Sequence, residues 1–221
     1  MSDSGVIPRP AHNSKDKKDV TGMFEPRANA LSKEYGWPVV AFDNRKPVPA
    51  KWADTKAAIS KLPDGKLRTL VCLMHGWPHG LQFGLTRGAV GQFVDALLPK
   101  LDPEAAYVDF VWLACSTGED GVASTNDKAG GPGGEGGLAD DVADAFRAAG
   151  RPVRIWAHVS EGRADINPHM RVFTGEGVGG RHVIEPGSKL RKAWVQYLKD
   201  GGWAEFWTLT QVQLEAKLAE L

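Results

Sequence analysis

Two segments, RTLVCLM at 68–74 and AYVDFVWLA at 106–114, are almost continuously apolar. A run of that kind suits a strand buried on both faces, as in a parallel sheet covered by helices on each side. Between them, Val90, Phe93, Val94, Leu97, Leu98 and Leu101 step by three, one, three, one and three, which is one face of a helix. A third apolar run, VRIWAHV at 153–159, follows a second amphipathic segment carrying Leu138, Val142, Phe146 and Ala149 and closed by Gly150. Strand, helix, strand, helix, strand predicts an α/β sheet with right-handed crossovers and parallel strands.

The flanking segments extend this plan. WPVVAFD at 37–43 reads as a further strand, and 52–62 as a short helix stopped by Pro63 and Gly65. Short runs MRVF at 170–173 and HVI at 182–184 precede two helices, over 188–199 and 208–221. Residues 1–22, with Pro8, Pro10 and a charged run, read as a polar N-terminal arm that is a candidate for docking a protein partner. The remainder, 23–221, reads as one α/β domain with C-terminal helices, without an internal repeat. The expected architecture is a three-layer α/β/α sandwich with a mainly parallel central sheet.

Charge narrows the function. Lys plus Arg and Asp plus Glu are each 27, so no basic footprint for nucleic acid is present. No apolar run has the length of a membrane helix, and the first twenty residues lack a signal-peptide core. Two cysteines, Cys72 and Cys115, make no disulfide framework, so a reducing, cytoplasmic setting is expected. The eight tryptophans are read as core and interface packing.

Parallel strands bring their C-terminal ends to one rim, where ligand crevices of open α/β sheets lie. His75, Cys115 and His158 each follow or end a predicted strand, so all three belong to that rim. Neighbouring strands run about 4.8 Å apart, which brings an imidazole and a thiol toward contact. A thiolate is a nucleophile and His is its ordinary base near neutral pH. Gly76 lets a substrate approach the backbone closely, and the N–H groups of Gly76 and Cys115 are candidate oxyanion donors.

A hydrophobic strand ending in His-Gly, a helix, and a hydrophobic strand ending in Ala-Cys resembles the caspase-like family of cysteine peptidases. The matching stretches are LVCLMHG at 70–76 and FVWLACSTG at 110–118. The resemblance implies His75 as general base and acid, Cys115 as nucleophile, and an oxyanion hole from the backbone of Gly76 and Cys115. It implies a peptide or protein substrate and no cofactor. It also covers the long segment after Cys115, whose GGPGGEGG at 130–137 lacks the Lys-Ser/Thr of a phosphate loop and is expected to be open to proteolytic nicking. His158, Glu161, Arg163 and Asp165 are candidates for lining a substrate pocket. A zinc set of His75, His79, Cys115 and His158 is a weaker reading, because Pro78 breaks the helical spacing of His75 and His79. From another functional class, the chain reads as a non-catalytic caspase-like scaffold or a component of a larger viral or secretion assembly.

Overall fold

A computed structural model describes residues 4–12, 22–119, 136–163, 165–176 and 179–221. Its centre is a seven-stranded sheet built from β1 (Ser4–Pro10), β2 (Val39–Phe42), β3 (Leu67–Leu73), β6 (Val108–Leu113), β7 (Val153–His158), β8 (Met170–Phe173) and β9 (Arg181–His182). The spatial order is β2-β1-β3-β6-β7-β8-β9. The first five strands are parallel, whereas β8 and β9 add antiparallel. A small hairpin of β4 (Gly76–Trp77) and β5 (Gly80–Leu81) stands outside this sheet.

The continuous hydrophobicity of β3 and β6 has the expected cause. Leu70, Cys72 and Met74 share one core with Phe110, Trp112 and Ala114, while Val71 and Leu73 share the opposite core with Val111 and Leu113. On the first face lie α2 (Val48–Ser60), α3 (Val90–Leu97) and α4 (Leu138–Ala148), which contribute Trp52, Phe93 and Phe146. On the second lie α1 (Phe24–Tyr35), α5 (Arg191–Lys199) and α6 (Gln211–Ala219), contributing Leu31, Trp194 and Leu214. Helices therefore cover both faces. Among the described residues no helix is long and apolar enough to cross a membrane.

The N-terminal segment departs from the sequence expectation. Residues 4–10 are not a solvated arm: they form β1, whose Val6 and Ile7 are buried, between β2 and β3. Pro8 and Pro10 concealed it, since proline is normally excluded from an interior strand. Here β1 pairs with β3 through Ser4, Gly5 and Val6 and with β2 through Ile7 to Pro10. The Ile7 and Ala11 amides donate to Pro38 and Phe42 on the β2 side. By strand alternation, the missing donors of Pro8 and Pro10 face the β3 side, beyond the last pair with β3. Residues 1–3 and 13–21 of the expected arm lie outside the described residues.

Helix α1 was not foreseen. Nor was the β4–β5 hairpin, in a stretch that reads as a glycine- and aromatic-containing loop; the other helices and strands fall within a few residues of their sequence positions. The segment after Cys115 is described only at 116–119 and 136–137, so the glycine-rich stretch expected to be nicked lies mostly outside the described residues.

Candidate functional site

Strands β3 and β6 pair in register up to Leu73 opposite Leu113. His75 and Cys115 stand two residues further along each strand direction. Side chains repeat every second residue, so continuing this register puts His75 on the face of Leu73. That is the α1 side, and the His75 ring meets Phe24 of α1 edge-on, with centroids 5.1 Å apart at 89°. His75 and Cys115 are both partly exposed.

Gly76 presses directly on the Cys115 backbone. A Cβ at Gly76 would lie 2.6 Å from Thr117 Cγ2, 2.8 Å from the Cys115 carbonyl oxygen and 2.9 Å from Ala114 Cβ. The absence of a side chain is thus what lets the His-Gly and Ala-Cys strand ends close together. Beyond Gly76, the hairpin returns to its origin: the Gln82 amide donates to the His75 carbonyl at 3.0 Å, and the His75 amide donates to Gln82 Oε1 at 3.3 Å.

After Cys115 the chain turns through Ser116, whose φ of 56° is the only positive value for a non-glycine among the described residues. Such left-handed residues cost backbone energy and concentrate at functional sites. The turn is tied to the end of β7. Ser116 N donates to Ser160 O at 3.3 Å, and Gly118 N donates to His158 O at 2.8 Å. Gly118 packs so closely on β7 that a Cβ would lie 2.9 Å from Ala157 O. The Cys115 thiol itself donates to the Gly162 carbonyl at 3.4 Å.

The two thiols differ in kind. Cys72 has no exposed surface, and burial pushes its thiol well above the ordinary range, which leaves it an inert core residue. Cys115 is the accessible one.

The four candidates for lining a pocket separate. Glu161 and Arg163 are exposed, on the loop after β7. His158 and Asp165 are each 1% exposed and lie beneath the rim rather than on it. Asp165 is the neutralised centre of a small network: Arg27 of α1 reaches it at 2.7 Å and Arg163 at 3.0 Å. The His158 ring lies against the backbones of Ala114 and Asn167. Burial lowers its pKa to about 4, an effect that the nearby Ala114 and Asn167 carbonyls and Asp165 partly oppose. The imidazole is therefore neutral at pH 7 and sits close to the residue preceding Cys115.

His79 is exposed on the hairpin while His158 is buried. No group of three or more His, Cys, Asp or Glu among the described residues could hold a metal ion. Sequence reasoning missed two features of the site. The left-handed turn at Ser116 carries no glycine or asparagine to announce it. Arg27 comes from a helix whose start lacks a side-chain cap, since Met23 stands at that position.

The fold and rim define an α/β protein with a histidine and a cysteine at the ends of two adjacent parallel strands. No protein-family model, curated protein or solved structure matches the chain.

Proposed function

We propose that the protein is a cysteine hydrolase of caspase-like type, acting on peptide bonds through His75 and Cys115. The supporting observation is the in-register pairing of the two strands that lead to these residues, with Gly76 packed on the Cys115 backbone. Cys115 Sγ attacks the substrate carbonyl carbon, and His75 accepts the thiol proton. His75 then returns that proton to the leaving amine as the carbon–nitrogen bond breaks. A water molecule, deprotonated by His75, hydrolyses the thioester and restores the thiol. The Gly76 and Cys115 N–H groups are the donors assigned to the oxyanion.

The test uses the purified full chain against a peptide library, read by mass spectrometry. Cys115→Ala is expected to remove turnover, and His75→Ala to lower it by about 10²–10⁴-fold, with circular dichroism and melting behaviour retained in both. A thiol-reactive peptide probe is expected to label Cys115 and spare Cys72. Labelling of Cys72 alone, or turnover surviving in Cys115→Ala, would overturn the assignment. Absence of turnover in the unaltered chain favours the non-catalytic scaffold.

A further inference from the structure

Seven of the eight tryptophans are buried, none more than 7% exposed, whereas Trp77 is 38% exposed. The exception stands two residues after His75, on the first strand of the small hairpin. Isolated exposed apolar side chains are common on protein surfaces. Trp77 differs from them in being held in place. A Cβ on Gly80 would lie 2.7 Å from the indole Cε2 and Nε1 atoms, so the ring lies flat across the hairpin where only glycine leaves room.

The hairpin is in turn fixed to the body. Leu81 N donates to Leu85 O at 2.8 Å, and Arg87 N donates to His79 O at 3.3 Å. Leu81, Phe83 and Leu85 anchor its far side in the core, each at most 1% exposed. One indole face is thus supported while part of the ring remains open to solvent. Trp77 directly follows Gly76, which packs on the Cys115 backbone, and two residues of extended chain span roughly 7 Å, so the Trp77 backbone stands about that far from His75.

We propose that Trp77 is a specificity determinant: its indole stacks against an aromatic or large aliphatic side chain of the peptide substrate, within two residues of the scissile bond. This rests on the reading of His75 and Cys115 as the reacting pair. Indole supplies a large apolar surface that loses little conformational freedom when a ligand packs on it, and Gly80 has already fixed the ring. Its location selects the substrate residue beside the bond to be cut. Aromatic partners gain an additional stacking term over Ala.

Two arms test it. In peptide-library cleavage, the unaltered chain is expected to enrich Phe, Tyr, Trp or Leu at one position near the cut. Trp77→Ala is expected to lose that enrichment and to reduce kcat/KM roughly tenfold for such peptides, while peptides with Ala there change less than about twofold. Trp77→Phe is expected to restore the preference. An unchanged cleavage profile in Trp77→Ala overturns the proposal.

The second arm needs no turnover. In Cys115→Ala, iodide quenching of fluorescence reports chiefly on Trp77, the exposed indole, with Cys115→Ala/Trp77→Phe as the blank. The dipeptide amide Ac-Phe-Ala-NH2 is expected to protect it from iodide, and Ac-Ala-Ala-NH2 to leave it quenched. Equal quenching with both overturns the platform even if catalysis is established. Protection without turnover in the unaltered chain retains the platform and removes the catalytic reading.

Discussion

At the residue scale, His158 couples the core to pH. Its ring is enclosed, with a pKa lowered to about 4 by burial, so the folded protein binds no proton there until well below the ordinary value of 6.5. The unfolded chain takes up that proton near 6.5. Between the two values the unfolded state binds more protons, so the stabilising contribution is complete above pH 6.5 and is lost as pH falls toward 4. The groups facing the ring are Asp165, held by Arg27 and Arg163, and His169, whose ring meets Arg191 at 2.7 Å. A shift of this size corresponds to about 3 kcal/mol. His158→Phe removes the titrating group and is expected to flatten the decline, measured by urea unfolding at a series of pH values from 7 to 4. Parallel pH profiles for the two proteins would show that other groups control acid stability. The sequence put His158 at a strand end but could not show that it is enclosed. That depends on β8 pairing beside it, with Met170 opposite His158, and on the loop that brings Asp165 inward.

At the element scale, two strand ends meet because two glycines leave space. Gly76 rests on the Thr117 methyl and the Cys115 carbonyl and Gly118 on the Ala157 carbonyl, so at each position a backbone atom that cannot rotate away is in the path of a side chain. Adding a methyl group at either position forces the backbone to shift, at about 1–3 kcal/mol. Gly118→Ala is expected to lower the melting temperature and to loosen the turn carrying Ser116, read as faster hydrogen exchange at the Gly118 position, whose amide donates to His158. Unchanged stability and exchange would mean that the turn is not built on β7 as described. Strands β3, β6 and β7 were legible, because burial on both faces leaves runs of apolar residues with no polar alternation. Helix α1 was less so. It begins without a side-chain cap and carries Pro26 in its first turn, so only Phe24, Ala28 and Leu31 mark its buried face. The His-Gly and Ala-Cys strand ends were readable as neighbours from the βαβ pattern. The turn at Ser116 was not, since its conformation is imposed by contacts with residues about forty positions away.

At the scale of the whole molecule, the order of the sheet places the first strand in its interior. β1 joins β2, at the sheet edge, to β3, which leads directly to His75. Its Val6 packs into one core and its Ile7 into the other, so the strand contributes to both layers of helices. Trp37 covers Gly5 in β1 and stacks on Tyr35 of α1 with centroids 4.4 Å apart, adding a further link between the strand and its following helix. A solvated arm could be removed without consequence; an interior strand cannot, because its removal exposes two apolar faces and leaves the edges of β2 and β3 without their partner. Deletion of residues 1–11 is therefore expected to abolish cooperative unfolding and to produce aggregation, and with it any labelling of Cys115 that depends on the native rim. Adding a synthetic peptide of residues 1–12 is expected to recover part of the native circular dichroism signal. A truncated protein that stays monomeric and melts at the temperature of the full chain would contradict the position of β1. Substitution of Ile7 by Asp tests the same point without shortening the chain: a charge enclosed in the α1-side core is expected to destabilise the protein by several kcal/mol, whereas on a solvated arm it would be silent.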